Sequence, residues 1–287
     1  MNLLSVFAPL WRGFGQLLFQ PHAGTGVLVM LGIAVNSPLM LLAAFIGGGA
    51  STFTGFWLRQ QEAYRQGLFG FNGILLGLAA VLFMEPSWSL WLLIALGGAA
   101  TSWLFGRGLK RGIPVLTAPY IAIMLTIYLT LPILESPNGG IGLSWPEQPL
   151  WSGLVTGVGQ MGFQGNLLSA LFMAAGLYVG GGWRTLRWAC IGSGCGAILG
   201  SLLGAPDSAI TIGLLSYNSA LIAVALGSTP GHSHPSWQPW LGILLATVLT
   251  CYGIAYLSLP VLTAPFVMAM WLVMAVNYLV LRIRPLK

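Results

Sequence analysis

Ile113-Pro114-Val115-Leu116-Thr117-Ala118-Pro119-Tyr120 and Leu259-Pro260-Val261-Leu262-Thr263-Ala264-Pro265-Phe266 are one motif written twice. Two further stretches repeat in the same order. Gly67-Leu68-Phe69-Gly70-Phe71-Asn72 answers to Gly213-Leu214-Leu215-Ser216-Tyr217-Asn218, and Arg12-Gly13-Phe14-Gly15-Gln16-Leu17-Leu18-Phe19-Gln20 to Thr156-Gly157-Val158-Gly159-Gln160-Met161-Gly162-Phe163-Gln164. The offset is 144 at Gln16/Gln160 and 146 at Phe71/Tyr217 and Thr117/Thr263, so one net two-residue insertion relates the sets. Chance produces one such match more readily than three in order. The chain therefore divides into a first half, 1–140, and a second, 141–287, with the boundary in the polar stretch near 136–149.

Composition says where such a chain lives. Of its 287 residues 56% are hydrophobic and 6% charged, and the mean hydropathy is +0.85. A soluble domain carries about 25% charged residues. Apolar runs of about 20 residues recur, long enough to cross a ~30 Å hydrocarbon core. The net charge of +6 sits in short clusters between these runs, which fits a positive-inside bias rather than nucleic acid as a partner. The apolar N-terminal stretch has no basic residue ahead of it and is read as retained.

Arg59 and Arg65, then Arg107, Lys110 and Arg111, then Arg184 and Arg187, then Arg282, Arg284 and Lys287 mark cytoplasmic segments. Glu135, Glu147 and Asp207 mark the outside. Crossings are expected near 22–36, 38–58, 68–84, 87–106 and 113–134, and near 164–181, 189–204, 209–228, 239–257 and 261–281. The fold class is thus an all-α polytopic membrane protein of two repeats, each of about five transmembrane helices. An odd number of crossings per half inserts the halves in opposite orientation, with both termini cytoplasmic, and places a solute path at the repeat interface. Segments 3–20 and 147–163 are left over and are expected to be interfacial or half-membrane helices.

No catalytic apparatus is apparent, and the chain is not read as an enzyme. All five acids, Glu62, Glu85, Glu135, Glu147 and Asp207, fall in expected loops or span ends. A proton- or ion-coupled carrier usually keeps an ionisable group in the membrane. Cys190, Cys195 and Cys251 fit no metal spacing, and His232-Ser233-His234 lacks a third ligand, so no metal or cofactor is expected. The doubled Pro-Val-Leu-Thr-Ala-Pro motif removes two backbone donors per copy. The bland alternative is a Pro-kinked helix whose Thr bonds its own backbone. In symmetric pairs, freed carbonyls and the Thr hydroxyl suit a solute path.

These motifs resemble the urea transporter family, over nearly the whole chain and in the family's order. The resemblance implies a homotrimer in a cell membrane, with one pore per subunit built from ten spans and two half-membrane helices. It implies passive, channel-type conduction of urea through a narrow filter, in which aromatic and aliphatic walls hold the flat solute and backbone carbonyls accept its N–H groups. By resemblance Thr117 and Thr263 mark the constriction and Gln16 and Gln160 face one mouth each. Phe19, Phe71, Leu75, Phe163, Tyr217 and Leu221 correspond to the walls. Departures are Gln20-Pro21-His22 and Gln164-Gly165-Asn166 where many members have Asn-Pro, Ile113 for Leu, and Ser216 for Gly. The alternative is an ion-coupled secondary carrier for another small neutral solute such as a short amide.

Overall fold

A computed structural model describes residues 3–131, 148–228 and 237–283. Glu135, Glu147, the boundary residues 136–147, His232, His234, Arg284 and Lys287 lie outside the described residues. Among the described residues there are thirteen helices and no strand. The first half holds α1 (Leu3–Gln16), α2 (Ala23–Asn36), α3 (Pro38–Trp57), α4 (Gln61–Arg65), α5 (Phe71–Phe83), α6 (Trp88–Lys110) and α7 (Ala118–Thr130). The second holds α8 (Pro149–Gln160), α9 (Leu167–Leu202), α10 (Asp207–Thr211), α11 (Tyr217–Gly227), α12 (Trp237–Tyr256) and α13 (Ala264–Ile283). Gly182, at φ 68 and ψ −169, breaks α9 into two pieces. Those pieces answer to α2 and α3, which Ser37 separates, so the element order of the first half recurs in the second.

Local chemistry sets the boundaries. Ser37 accepts the Met40 N–H at 3.2 Å while Pro38 opens α3, where its missing N–H removes no helical bond. Ser87 caps α6 through the Leu90 N–H, and Asn166 caps α9 through that of Ser169 at 2.8 Å. The loop expected between 181 and 189 is absent because glycine alone can turn the chain at Gly182.

Helix length separates two kinds of crossing. α3, α6, α12 and α13 have 20 to 23 residues, or roughly 30 Å and more. α2, α5, α7 and α11 have 11 to 14, only about 16–21 Å. The crossings expected at 68–84, 113–134 and 209–228 are therefore part helix and part turn or extended backbone. In particular 113–117 is non-helical, and α7 starts at Ala118 with Pro119 in its first turn. The doubled proline motif is a helix start, not a kink within a helix. Irregular backbone at membrane depth is tolerated where protein or a water-filled cavity receives its polar groups.

The surface is that of a multi-pass membrane protein. Phe53, Leu96, Leu171 and Leu244 stand within helices and exposed. No charged side chain is buried among the described residues. Glu62, Glu85 and Asp207 lie exposed in short helices or turns. The halves meet along two seams. Along α2 and the first piece of α9, Asn166 donates to Asn36 at 2.6 Å, Ser169 to the Gly32 carbonyl at 2.6 Å, and Thr25 to the Gly176 carbonyl at 2.8 Å. Where α7 crosses α13, Trp271 donates to the Pro114 carbonyl at 2.8 Å.

Candidate functional site

α1 and α8 end inside the protein, and the residue three places past each end does unusual work. Phe19 (φ 58) and Phe163 (φ 61) adopt the left-handed conformation that closes a helix, a place glycine normally takes. Gln20 N–H reaches the Gly15 carbonyl, and Gln164 N–H the Gly159 carbonyl, both at 3.1 Å. A non-glycine residue there costs roughly 1–2 kcal/mol. The same conformation recurs at Leu116 (φ 51) and Leu262 (φ 46), one residue before each motif Thr. Four of the five non-glycine residues with positive φ among the described residues thus fall in the repeated motifs, two by two.

Asn72 and Asn218, in the first turns of α5 and α11, hold these turns. Each donates to the carbonyl of the left-handed leucine (Leu116 or Leu262) at 3.2 Å, and each accepts an N–H from the first turn of α7 or α13 (Tyr120 or Phe266) at 3.3 Å. Both asparagines are fully buried. The first two motifs also meet directly. A Cβ on Gly67 would stand 2.4 Å from the Gly13 nitrogen, and one on Gly213 2.6 Å from that of Gly157.

The ten residues singled out from the sequence line three cavities in series. One vestibule, about 190 Å³, holds Gln16, Phe19, Phe71 and Thr117. The opposite one, about 390 Å³, holds Gln160, Phe163 and Tyr217. Between them a waist of about 10 Å³ is lined by Leu75, Leu221, Thr117 and Thr263, and it shares Gln16, Phe19 and Phe71 with the first vestibule. That volume holds about one water. At the waist the hydroxyls of Thr117 and Thr263 are 2.8 Å apart, a hydrogen bond between residues 146 apart in sequence. The rings cross over reciprocally: Phe19 packs on Phe266 with centroids 5.5 Å apart, and Phe163 on Tyr120 at 6.4 Å. The Gln16 vestibule is walled by the first half alone, whereas Leu82 and Phe83 of the first half join the wall of the Gln160 vestibule, and both halves line the waist.

Sequence reasoning passed over several participants. Asn72 and Asn218 were visible as the last letter of a repeated motif, and an amide in an apolar run needs partners. Phe105 and Leu109 on α6, Ile254 on α12 and Leu257 just past its end line the vestibules without any repeated spelling to flag them. The tyrosine hydroxyl by which Tyr217 differs from Phe71 donates to the Leu262 carbonyl.

Chemically the site is a slot of flat aromatic and aliphatic walls, an amide at each mouth, a hydroxyl pair at the waist and no ionisable carboxylate or amine. An ion would lose its hydration without compensation, whereas a small neutral hydrogen-bonding solute finds donors and acceptors. Residues 7–278 match the family model described as urea transporter. Among characterised proteins the chain is 28% identical to urea transporter 1 of Ovis aries and of Capra hircus, each over 291 aligned positions covering 90% of this chain and 73% of the relative. It is 29% identical to urea transporter 1 of Rattus norvegicus, over 84% of this chain and 67% of the relative.

Proposed function

The chain belongs to the urea transporter family, and on that premise we propose that it carries urea passively across a cell membrane, through one narrow pore in each subunit. The observation that carries this reading is the Thr117–Thr263 hydrogen bond at a waist between two vestibules, with no buried charge along the way. Urea is flat and neutral, with four N–H donors and one carbonyl acceptor. Leaving one such group unpaired in an apolar slot costs roughly 2–7 kcal/mol, depending on the reference state. Gln16 and Gln160 receive the solute at the mouths. Phe19, Phe71, Leu75, Phe163, Tyr217 and Leu221 hold it flat, and Thr117 and Thr263 offer hydroxyls where the passage is narrowest.

The same reading takes residues 1–140 and 141–287 as inverted repeats with the pore at their interface, both termini cytoplasmic and the subunits assembled as a homotrimer. The one-for-one order of helices and the reciprocal ring pairs support the repeat. The test is stopped-flow light scattering on proteoliposomes given a urea gradient and no ion gradient. Urea entry well above that of empty liposomes, unchanged when sodium and proton gradients are abolished, is the expected result. Entry at background level from folded protein, restored by an imposed ion gradient, would replace the channel by a coupled carrier.

A further inference from the structure

α11, α12 and α13 leave a further cavity between them, and it shares no residue with the three cavities of the passage. It measures about 330 Å³. Leu226, Met270, Val273 and Gln238 form a buried floor, while Met274, Tyr278 and Leu281 stand exposed at the rim. The cavity therefore opens sideways, toward lipid. From Met270 to Leu281 it follows α13 for about 16 Å.

Two amides line this otherwise apolar space. Gln238, in the first turn of α12, is only 3% exposed, and Asn277 on α13 is half-buried. Neither side chain has a hydrogen-bond partner among the described residues. A buried amide needs one. The first half shows that the fold does not require this arrangement. At the offset of 146 set by Thr117/Thr263, Tyr128 stands where Met274 does and packs on Phe83 with centroids 5.9 Å apart, and Leu131 stands where Asn277 does. Basic and aromatic side chains gather at the same end of the bundle. Arg282 lies 4.7 Å over the ring of Tyr278, and Arg184 donates to the Gly227 carbonyl at the end of α11 at 3.1 Å. Trp188 and Trp240 pack with centroids 5.7 Å apart, as side chains of the membrane interface do. Residues 208–287 contain no acid.

We propose that this cavity is a binding site for one anionic glycerophospholipid of the surrounding bilayer. An acyl chain lies along Leu226, Met270 and Val273. The NH2 groups of Gln238 and Asn277 donate to the ester carbonyls, and the phosphate sits beside the Arg282 guanidinium. The sideways opening selects a lipid over a dissolved solute, and basic side chains without an acid select an anionic headgroup. The site rests on the chain being a membrane protein and not on the urea-channel reading.

Phosphatidylglycerol and phosphatidylcholine are the probes, titrated onto the detergent-purified full chain and counted by native mass spectrometry. The unmodified chain should hold its tightest phosphatidylglycerol more firmly than its tightest phosphatidylcholine. Arg282→Gln should weaken phosphatidylglycerol by about fivefold and leave phosphatidylcholine unchanged. Gln238→Leu combined with Asn277→Leu should weaken both lipids by about tenfold. Met274→Trp, which fills the cavity from its exposed rim, gives the same test where the amide variant fails to fold. Arg107→Gln is the control. Arg107 lies 4.2 Å over the ring of Trp103 much as Arg282 lies over Tyr278, but on α6, away from the cavity, and its loss should change neither affinity. Equal effects of Arg107→Gln and Arg282→Gln, or lipid binding indifferent to both the amide and the tryptophan variants, overturn the proposal. A disulfide-linked pair of subunits formed by Met274→Cys and absent from the unmodified chain gives the cavity to a second copy and also overturns it. Urea flux is no part of these readouts, so the site and the channel reading fail separately.

Discussion

Thr117 and Thr263 each lend a hydroxyl to one 2.8 Å contact, and valine has nearly the same shape without the hydrogen bond. A net hydrogen bond is worth about 0.5–1.5 kcal/mol. Thr117→Val and Thr263→Val should therefore each lower urea permeability by about 2- to 12-fold, at 1.4 kcal/mol per tenfold, with the protein still folded. Because the hydroxyls share one contact, the double variant should fall well short of the product of the two, as a double-variant cycle of permeabilities will read. Normal flux in both single variants would remove the pair from the filter. Gly67 belongs to this scale as well. Its φ of 78 and the 2.4 Å approach of a Cβ to the Gly13 nitrogen leave no room for alanine. Gly67→Ala should cost the bulk of the folded protein, as seen by size-exclusion chromatography after solubilisation.

At the scale of elements, two buried asparagines tie α5 to the start of α7 and α11 to the start of α13. Leucine at either place strands a backbone N–H, and at Asn72 a carbonyl as well, at about 1–3 kcal/mol per unsatisfied group. The halves differ here in a way that can be measured. The Leu262 carbonyl keeps the Tyr217 hydroxyl when Asn218 is lost, whereas among the described residues no other side chain donates to the Leu116 carbonyl once Asn72 is gone. Asn72→Leu should thus lower the melting temperature more than Asn218→Leu, in detergent with the same buffer. Equal losses would mean that the tyrosine hydroxyl contributes nothing to holding that turn.

For the whole molecule, the seam between α2 and α9 joins the halves through three hydrogen bonds among the described residues. Interhelical hydrogen bonds in membranes contribute about 0.6–2 kcal/mol each. Asn166 serves twice, capping α9 and bonding Asn36. Asn166→Ala should lower thermal stability while leaving the ratio of urea to methylurea permeability unchanged, since no cavity of the passage is lined by it. A changed ratio would make the seam part of the selectivity mechanism.

Much of this architecture was legible in the sequence. A low charge content and recurrent apolar runs require lipid, because such a surface cannot face water. Three motifs repeated in order contain eight of the ten residues that line the three cavities, Leu75 and Leu221 being the other two, since a repeated spelling reflects a repeated environment. Legibility stopped where the fold departs from regular helix or from the repeat. Pro119 reads alike as a kink or as a helix start, because both remove the same N–H, and only the backbone at 113–117 decides between them. The left-handed Phe19, Phe163, Leu116 and Leu262 carry no glycine to announce them; packing and the Asn72 and Asn218 amides impose that conformation. The meeting of Thr117 with Thr263, and the packing of Phe19 on Phe266, join residues far apart in the chain. Tertiary structure alone decides such pairs, because the sequence records which side chains exist and not which of them the packed helices bring within reach.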